Sequence, residues 1–307
     1  GIPWSKILTF RCRSLCRFRN LNENQSPRTK FFFMNKINVA ITGGAGVLCR
    51  SMAECLLAKG YQVALLDIKE GAVKNAASEL SLQDAKCIGI KTDVLSKASL
   101  EAAKEKIKQE LGSVSILING AGGNHPKGTT TNEFFHPEDI KDTDIQTFFD
   151  LDFESIQFVF NLNFLGTLLP CQVFAKDMLD NQDACIINIS SMNAFTPLTK
   201  IPAYSAAKSS VSNFTQWLAV HFSRMGIRVN AMAPGFFLTA QNHDLLLDSS
   251  GNLKPRANKI INHTPLGRFG KPEDLHSTLL WLIDSKSSFI TGIVVPIDGG
   301  FSAYSGV

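Results

Sequence analysis

The sequence of 307 residues lacks the cysteine and histidine patterns that hold structural metal ions. Its seven cysteines are an odd number, are scattered along the chain, and form no CxxC pair or Cys/His cluster with metal-ligand spacing. We therefore expect no metal site and a reducing compartment, the cytoplasm. Import into an organelle is expected only if residues 1–33 are a genuine transit peptide.

Long apolar runs and a strongly charged domain are also missing. No apolar run approaches the roughly 18 residues of a membrane-spanning helix, so no membrane segment is predicted. Residues 1–33 hold seven basic residues and one acidic residue, whereas the rest of the chain has a net charge of −2. The overall charge of +4 thus belongs to the leader, and no nucleic-acid surface is expected on the folded domain.

No internal repeat or low-complexity linker interrupts the chain after Met34. We therefore predict a leader at residues 1–33, as a non-native extension or a disordered segment, followed by a single domain at residues 34–307. Residues 123–152 form a long connection rich in Phe and Asp. Connections of this length are usually functional, so this insertion is predicted to be a substrate loop or lid.

From Ile37 onward, short apolar runs alternate with longer segments of helical period. This alternation predicts an α/β fold, a doubly wound parallel sheet of about seven strands with helices on both faces, similar to a Rossmann fold. The predicted strands are Ile37 to Ile41, Gln62 to Leu66, Lys86 to Ile90, Ser115 to Ile118, Cys185 to Ile189, Ile227 to Met232 and Ile293 to Pro296. The predicted helices are Val47 to Lys59, Gly71 to Leu80, Lys97 to Leu111, Phe153 to Leu179, Ala203 to Met225 and Pro272 to Ile283.

The first predicted strand leads through a glycine turn, Thr42-Gly-Gly-Ala-Gly-Val-Leu-Cys49, directly into a helix. Such a turn lets the backbone approach a pyrophosphate, whose charge is held by the amides at the helix N-terminus. Asp67 ends the second predicted strand, where a carboxylate can bind the adenosine ribose and repel a 2′-phosphate. Together they predict NAD in preference to NADP, although each alone is compatible with an ordinary surface turn.

A second cluster contains Tyr204 and Lys208, four residues apart on a predicted helix and therefore on one face of it. A cation beside a phenol lowers the phenol pKa towards neutral, which makes proton transfer by Tyr204 possible. Ser191 follows a predicted strand, so its hydroxyl and the phenol can converge at the carboxyl edge of the sheet.

In order and spacing, these motifs resemble the short-chain dehydrogenase/reductase family from Asn38 to the C-terminus. The resemblance implies that the catalytic residues are Asn163, Ser191, Tyr204 and Lys208. It implies that the cofactor is bound by Thr42, Gly43, Gly46, Leu48, Asp67, Asp93, Val94, Asn119, Ala121, Gly122, Tyr204, Lys208, Pro234, Gly235, Phe237 and Thr239. The chain departs from the family pattern at Val47 and Cys49, where the family has glycine, and at Gly120, where it has asparagine.

The resemblance also implies a mechanism. Hydride passes between NADH and a carbonyl carbon while Tyr204 donates the proton and Ser191 holds the carbonyl oxygen. Lys208 lowers the pKa of Tyr204 and binds the nicotinamide ribose. Asn163 anchors a water that relays protons to Lys208.

Longer strings, such as NGAGGNHPK and SSMNAFTPLTKIPAYSAAK, resemble the D-mannonate oxidoreductase (fructuronate reductase) group of this family. That resemblance implies NAD-dependent interconversion of D-mannonate and D-fructuronate by a homotetramer, with the tail Phe301 to Val307 at a subunit contact. A sugar acid needs cationic and hydrogen-bonding partners, for which the candidates are His125, Lys127, Asn193 and Lys200. Two alternatives stay open, a dehydrogenase for another polyol or keto sugar acid such as gluconate/5-ketogluconate, and a noncatalytic NAD-binding regulator.

Overall fold

The computed structural model describes residues 37–306, apart from residues 82–85, 180, 182 and 240–245. The predicted leader at residues 1–33 lies outside the described residues, as do Met34 and Val307. The predicted domain bounds therefore stay a prediction.

Seven parallel strands form one sheet in the described part of the chain, in the order β3-β2-β1-β4-β5-β6-β7. They are β1 (Asn38–Thr42), β2 (Gln62–Asp67), β3 (Cys87–Lys91), β4 (Ile116–Asn119), β5 (Cys185–Ile189), β6 (Arg228–Pro234) and β7 (Val294–Ile297). β1, β4 and β6 are buried along their whole length, because helices cover both faces of the sheet. β7 is an edge strand, and this position tolerates Pro296, which has no N–H to pair. The predicted fold class is confirmed.

The described residues form eight α-helices, six of which pack on the two faces of the sheet. They are α1 (Val47–Ala58), α2 (Glu70–Leu80), α3 (Lys97–Glu110), α4 (Phe153–Phe160), α5 (Gly166–Met178), α6 (Pro202–Phe222), α7 (Pro255–Asn262) and α8 (His276–Ile283). Because strand side chains alternate, Val39 and Ile41 lie in the core with α1, α2 and α8, whereas Ala40 lies in the core with α3, α5 and α6. The sequence pattern does not predict α7, which buries only Ala257 and Ile260.

The helix predicted from Phe153 to Leu179 contains a π-helical turn, Asn161–Leu165, between α4 and α5. By length and composition only, the continuous helix Phe153–Met178 meets the criterion for a membrane span, a criterion that core helices of water-soluble proteins also meet. Half of its most apolar stretch is buried inside the protein, and Phe174 and Met178 lie in the core beside the sheet. Packing against the sheet therefore accounts for its apolar character.

The strand order reverses between β1 and β4, which are neighbours in the sheet although β2 and β3 separate them in sequence. The connections that leave their carboxyl ends lead to helices on opposite faces and leave a crevice between them, where folds of this class bind ligands. This crevice receives the glycine turn, the end of β5 and the start of α6.

Candidate active site

The turn between β1 and α1 accepts only glycine at its first position. Gly43 has a left-handed φ of +67°, and a Cβ there would lie 2.9 Å from both Gly120 O and Ala121 N. The next part of the turn is closed by a hydrogen bond from Gly46 N to Gly43 O at 2.9 Å. Gly46 is the N-cap of α1 and has no side chain to bond the first helical amides, which are therefore available to an anion.

Thr42 connects the glycine turn to the end of β4. Its Oγ1 accepts hydrogen bonds from Gly120 N at 3.1 Å and from Ala121 N at 3.2 Å. The side chain is fully buried. Thr42 therefore ties the end of β1 to the backbone that follows β4. It does not itself line the crevice.

Asp67 stands at the end of β2 with both carboxylate oxygens engaged by backbone amides. Oδ2 accepts from Ala45 N at 3.2 Å and Oδ1 accepts from Lys69 N at 3.0 Å. The carboxylate is thus held against the glycine turn, although these residues are far apart in sequence. Each oxygen retains a lone pair with which it can accept a ribose hydroxyl.

A cavity of about 570 Å³ opens at the carboxyl ends of β1, β4 and β5. Its lining includes most of the predicted cofactor residues, namely Gly43, Gly46, Leu48, Asp67, Ala121, Gly122, Tyr204, Lys208, Pro234, Gly235, Phe237 and Thr239. Seven further lining residues are not predicted as site or departure residues: Ala45, Lys69, Ala72, Gly123, Ile189, Ser190 and Phe236. Most of them are close in sequence to predicted residues, whereas Ala72 lies on α2 and has no such signal.

Besides Thr42, three predicted cofactor residues do not line the cavity: Asp93, Val94 and Asn119. Asp93 Oδ1 accepts a hydrogen bond from Leu95 N at 2.9 Å, within its own turn. Val94 is buried, and Asn119 Nδ2 donates to Asn188 Oδ1 at 2.9 Å between neighbouring strands. Asn119 therefore joins two strands of the sheet, a role that its buried position explains.

Ser191, Tyr204 and Lys208 meet at one end of the cavity. Ser191 and Tyr204 share a side-chain hydrogen bond. The Lys208 Nζ lies 5.7 Å from the centroid of the Tyr204 ring and donates to Ile189 O at 2.8 Å. The convergence predicted from the spacing of Tyr204 and Lys208 along α6 is therefore present in the fold.

The electrostatics of this group differ from the expectation. Burial raises the pKa of Tyr204, while the hydrogen bond with Ser191 lowers it, and Lys208 is not among the causes of its shift. Burial also lowers the pKa of Lys208 to about 8. The predicted lowering of the phenol pKa by Lys208 is therefore not seen, because both groups are desolvated and the ammonium is directed to Ile189 O.

Asn163 lies on the π-helical turn and is fully buried. Its Nδ2 donates to Gly123 O at 2.7 Å and to Val159 O at 2.8 Å, and its Oδ1 accepts from Gly123 N at 3.2 Å. A Cβ at Gly122 would lie 2.6 Å from Asn163 Oδ1 and 3.1 Å from Lys208 Nζ. Asn163 thus holds the backbone after β4 close to Lys208, without lining the cavity. Single π-helical turns are frequent at functional sites.

The four predicted substrate residues lie outside the α-helices and strands, with Lys127 and Asn193 in short 3-10 helices, and they do not line the cavity. His125 Nδ1 accepts from Lys127 N at 3.3 Å, and Lys127 itself is exposed. Asn193 is buried, and its Oδ1 has no hydrogen-bond partner among the described residues. Lys200 has a φ of +72°, the one positive φ at a described residue other than glycine. An unpartnered buried oxygen and a left-handed lysine are unusual features that favour a functional loop.

The insertion at residues 123–152 is held mainly by polar contacts of its own backbone. Gln146 Nε2 donates to the carbonyls of Lys127 at 3.0 Å and of Thr129 at 2.8 Å. Thr130 N donates to Lys200 O at 2.9 Å, which joins the insertion to the loop before α6. Its paired phenylalanines are exposed, by 50% to 71% of their surface: Phe134, Phe135, Phe148 and Phe149.

Two other features bear on the predicted chemistry. The guanidinium of Arg268 forms an ion pair with Asp274, with Nη1 to Oδ2 at 2.6 Å and Nη2 to Oδ1 at 3.1 Å, and so has a structural partner. Within the described ranges, no group of three or more His, Cys, Asp and Glu side chains is arranged to hold a metal ion.

Known proteins resemble this chain along most of its length. Residues 37–249 match the family model described as short chain dehydrogenase. An uncharacterized oxidoreductase of Haemophilus influenzae is 56% identical over 274 residues, which cover 89% of this chain and 95% of the relative. UxuB, an uncharacterized oxidoreductase of Bacillus subtilis, is 52% identical over 288 residues, covering 94% and 99%. A Haemophilus crystal structure with bound NAD, described as a candidate D-mannonate oxidoreductase, has 54% identity and a TM-score of 0.85, covering 89% of this chain and 98% of that chain.

Proposed function

The chain belongs to the short-chain dehydrogenase family and is an oxidoreductase, and we propose that it interconverts D-mannonate and D-fructuronate with NAD as the hydride carrier. One observation carries the proposal: Ser191, Tyr204 and Lys208 line the same cavity as the glycine turn and Asp67. The substrate is supported by the 54% identity to the structure described as a candidate D-mannonate oxidoreductase.

The cavity residues fit a dinucleotide. Gly43 and Gly122 line the cavity and carry no side chain, so a ligand can approach the main chain there. The N-terminal amides of α1 supply partial positive charge for a pyrophosphate. Asp67 supplies a carboxylate that accepts from ribose hydroxyls and repels a 2′-phosphate, which supports NAD in preference to NADP.

The nicotinamide group, when bound, supplies a hydride in the reductive direction and accepts one in the oxidative direction. Tyr204 donates a proton to the developing alkoxide during reduction and accepts the proton back during oxidation. Ser191 shares a hydrogen bond with Tyr204, so its hydroxyl is placed to hold the same substrate oxygen. Lys208, whose burial lowers its pKa to about 8, can exchange a proton near neutral pH. Asn163 holds the backbone beside Lys208.

The sugar-acid carboxylate requires a cation close to this end of the cavity. We assign that role to at least one of His125, Lys127 and Lys200, which lie on the loops after β4 and before α6. Asn193 is assigned to a substrate hydroxyl, since its buried oxygen lacks a partner among the described residues. The insertion is proposed to form a wall or lid beside these residues, because Thr130 bonds the Lys200 carbonyl.

The location and assembly are part of the same proposal. The described cysteines are all free, which supports a reducing compartment such as the cytoplasm. Trp217 and Val220 of α6 are 58% and 77% exposed, and large exposed apolar side chains on one helix favour a subunit contact, here in a homotetramer. The tail from Phe301 is proposed to lie near a second contact.

The test is a spectrophotometric NADH assay with fructuronate, tagaturonate and 5-ketogluconate in parallel. We expect fructuronate to have the highest kcat/KM. A preference for 5-ketogluconate would favour the alternative of another keto sugar acid and reject the mannonate assignment, while the family assignment would stand. NADH binding without turnover of any carbonyl substrate would favour the noncatalytic regulator.

Cofactor choice is tested by the same assay with NADPH and with Asp67→Asn. We expect the wild-type protein to use NADH at least about tenfold better, because a phosphate beside a carboxylate is repelled. Asp67→Asn removes the charge and is expected to narrow that ratio by raising kcat/KM with NADPH. An unchanged ratio would show that Asp67 does not select the cofactor.

A further inference from the structure

Two departures from the family pattern, Cys49 in the glycine turn and Gly120 after β4, are in contact in the folded protein. Cys49 is the third residue of α1, is 5% exposed and lines the cavity. A Cβ placed on Gly120 would lie 2.2 Å from Cys49 Sγ. It would also lie 2.9 Å from Thr42 O, so a side chain at position 120 requires both the thiol at position 49 and the Thr42 carbonyl to move.

The thiol also has a bonding role at this contact. Cys49 Sγ donates to Thr42 O at 3.6 Å. Burial raises the pKa of the Cys49 thiol to about 12, so the thiol keeps the proton that it donates. The same Thr42 uses its side-chain oxygen to accept from Gly120 N and Ala121 N. Thr42 thus bonds α1 through its backbone carbonyl and the segment after β4 through its side-chain hydroxyl.

This segment leads directly to the catalytic group. Gly122 follows Ala121 and lies so close to Asn163 Oδ1 and Lys208 Nζ that a Cβ there would contact both. Ala121 N, in turn, limits the space at Gly43 of the glycine turn. A shift of the backbone at Gly120 would therefore change both the cofactor turn and the position of the backbone next to Lys208.

We propose that Cys49 is a positioning residue for the cofactor, and that Cys49 and Gly120 are an exchanged pair in which the thiol fills the volume of the family's asparagine side chain. The proposal rests on cofactor binding as given under the proposed function, and it adds that neither residue can take the family identity alone. It explains how a turn without the last two glycines of the family pattern keeps the close contact between α1 and β4.

The test is a double-mutant cycle in the full chain, with NADH affinity measured by the fluorescence of the bound nucleotide. We expect Gly120→Asn to weaken NADH binding at least tenfold, because the new side chain displaces the thiol and the backbone that it contacts. Cys49→Gly alone is expected to weaken binding about threefold by leaving the volume empty. The double variant, Cys49→Gly with Gly120→Asn, is expected to bind NADH at least about threefold more tightly than Gly120→Asn alone, because the contact with the thiol is gone and only the contact with Thr42 O remains.

The recovery of NADH affinity is specific to Cys49 and Gly120 if removal of a different buried thiol does not restore it. Cys87→Ala with Gly120→Asn is the matched control, since Cys87 is a buried thiol on β3 outside the cavity. We expect Cys87→Ala to leave the NADH affinity of Gly120→Asn unrestored. We also expect the variants at positions 49 and 120 to change KM for NADH more than KM for the carbonyl substrate. Effects of Cys49→Gly and Gly120→Asn that simply multiply in the double variant would overturn the proposal.

Two further measurements distinguish a folding defect from a loss of NADH binding. Gly120→Ala is the milder form of the same change, so it serves if Gly120→Asn does not fold by circular dichroism. Gly120→Ala alone is expected to lower NADH affinity, and Cys49→Gly is expected to restore part of that affinity. Failure of the wild-type chain to bind NADH would reject the proposed cofactor, whereas normal wild-type binding without rescue would reject only the exchanged pair.

Discussion

The glycine turn (residues 43–49) and the insertion (residues 123–152) border the same crevice but are held in opposite ways. In the turn, backbone atoms lie so close that Gly43 has no room for a Cβ, and Asp67 and Thr42 bond the adjacent amides. In the insertion, Phe148 and Phe149 are 67% and 71% exposed, and polar contacts hold the backbone. Close backbone packing permits few sequences, whereas an exposed loop can vary, so we attribute cofactor binding to the turn and substrate choice to the insertion.

The largest effect on activity is expected from a change at Tyr204, which lines the cavity that both regions border. Tyr204→Phe removes the proton donor and is expected to lower kcat by about 10² to 10⁴-fold while NADH affinity stays unchanged. Tyr61→Phe is the matched control, since Tyr61 lies outside the cavity and is expected to retain full activity. Unchanged turnover of Tyr204→Phe would remove the assignment of this group as the catalytic centre.

The tight packing of the turn is tested by Gly43→Ala. The left-handed backbone costs alanine about 1 to 2 kcal/mol, and the new Cβ must in addition displace Ala121 N. We expect NADH affinity to fall by at least about tenfold, or 1.4 kcal/mol. Gly60→Ala is the control, because Gly60 also has a left-handed φ, of +86°, but a Cβ there meets nothing within 4 Å. Gly60→Ala should lower the free energy of unfolding about as much as Gly43→Ala does, and should leave NADH affinity unchanged. Equal losses of NADH affinity in the two variants would show that close packing at Gly43 has no special role in cofactor binding.

The pH dependence follows from the lowered pKa of Lys208, about 8. Lys208 is charged below that value and loses its proton above it, so the rate of carbonyl reduction is expected to fall as the pH rises through about 8. The measurement is kcat/KM for the keto acid against pH, at saturating NADH. The arginine in Lys208→Arg stays charged over the whole pH range, so the fall in kcat/KM above about pH 8 should disappear. A profile that stays flat up to pH 10 would show that the charge on Lys208 is not required.

The smallest effect is expected in the insertion. Phe149→Ser removes an exposed ring, so stability should change by less than about 0.5 kcal/mol and NADH affinity should not change. The predicted lid would make KM for the sugar acid rise severalfold, with kcat nearly constant. The contrast is Phe174→Ala on α5, in the core beside the sheet, where truncation of a fully buried ring costs about 3 to 5 kcal/mol. Unchanged KM in Phe149→Ser would leave the insertion without a role in substrate binding.

Local pattern predicted much of the fold. β5 is predicted and observed at Cys185–Ile189, and α1 begins at Val47 as predicted. Helix α7 is not predicted, because it has only eight residues and buries only Ala257 and Ile260. The π-helical turn at Asn161–Leu165 is not predicted either, since one extra residue in a turn hardly changes the apolar period.

The candidate site was predictable to a similar degree. Ser191, Tyr204 and Lys208 line the cavity as expected from the strand ends and from helical spacing. Asn163 was named from the resemblance, and the structure adds that its amide group bonds the backbone of Gly123 and Val159. The direction of the Tyr204 pKa shift also differs, since burial cannot be read from residue spacing.

The sequence by itself determined the alternation of strands and helices and the identity of the residues at the strand ends, because apolar period and turn chemistry are local properties. Only the tertiary structure decided which of those residues touch. Cys49 and Gly120 are two separate departures in the sequence and a single contact in the fold. The physical reason is that β1 and β4 pair directly, so atoms on distant parts of the chain must share one small volume that no local pattern describes.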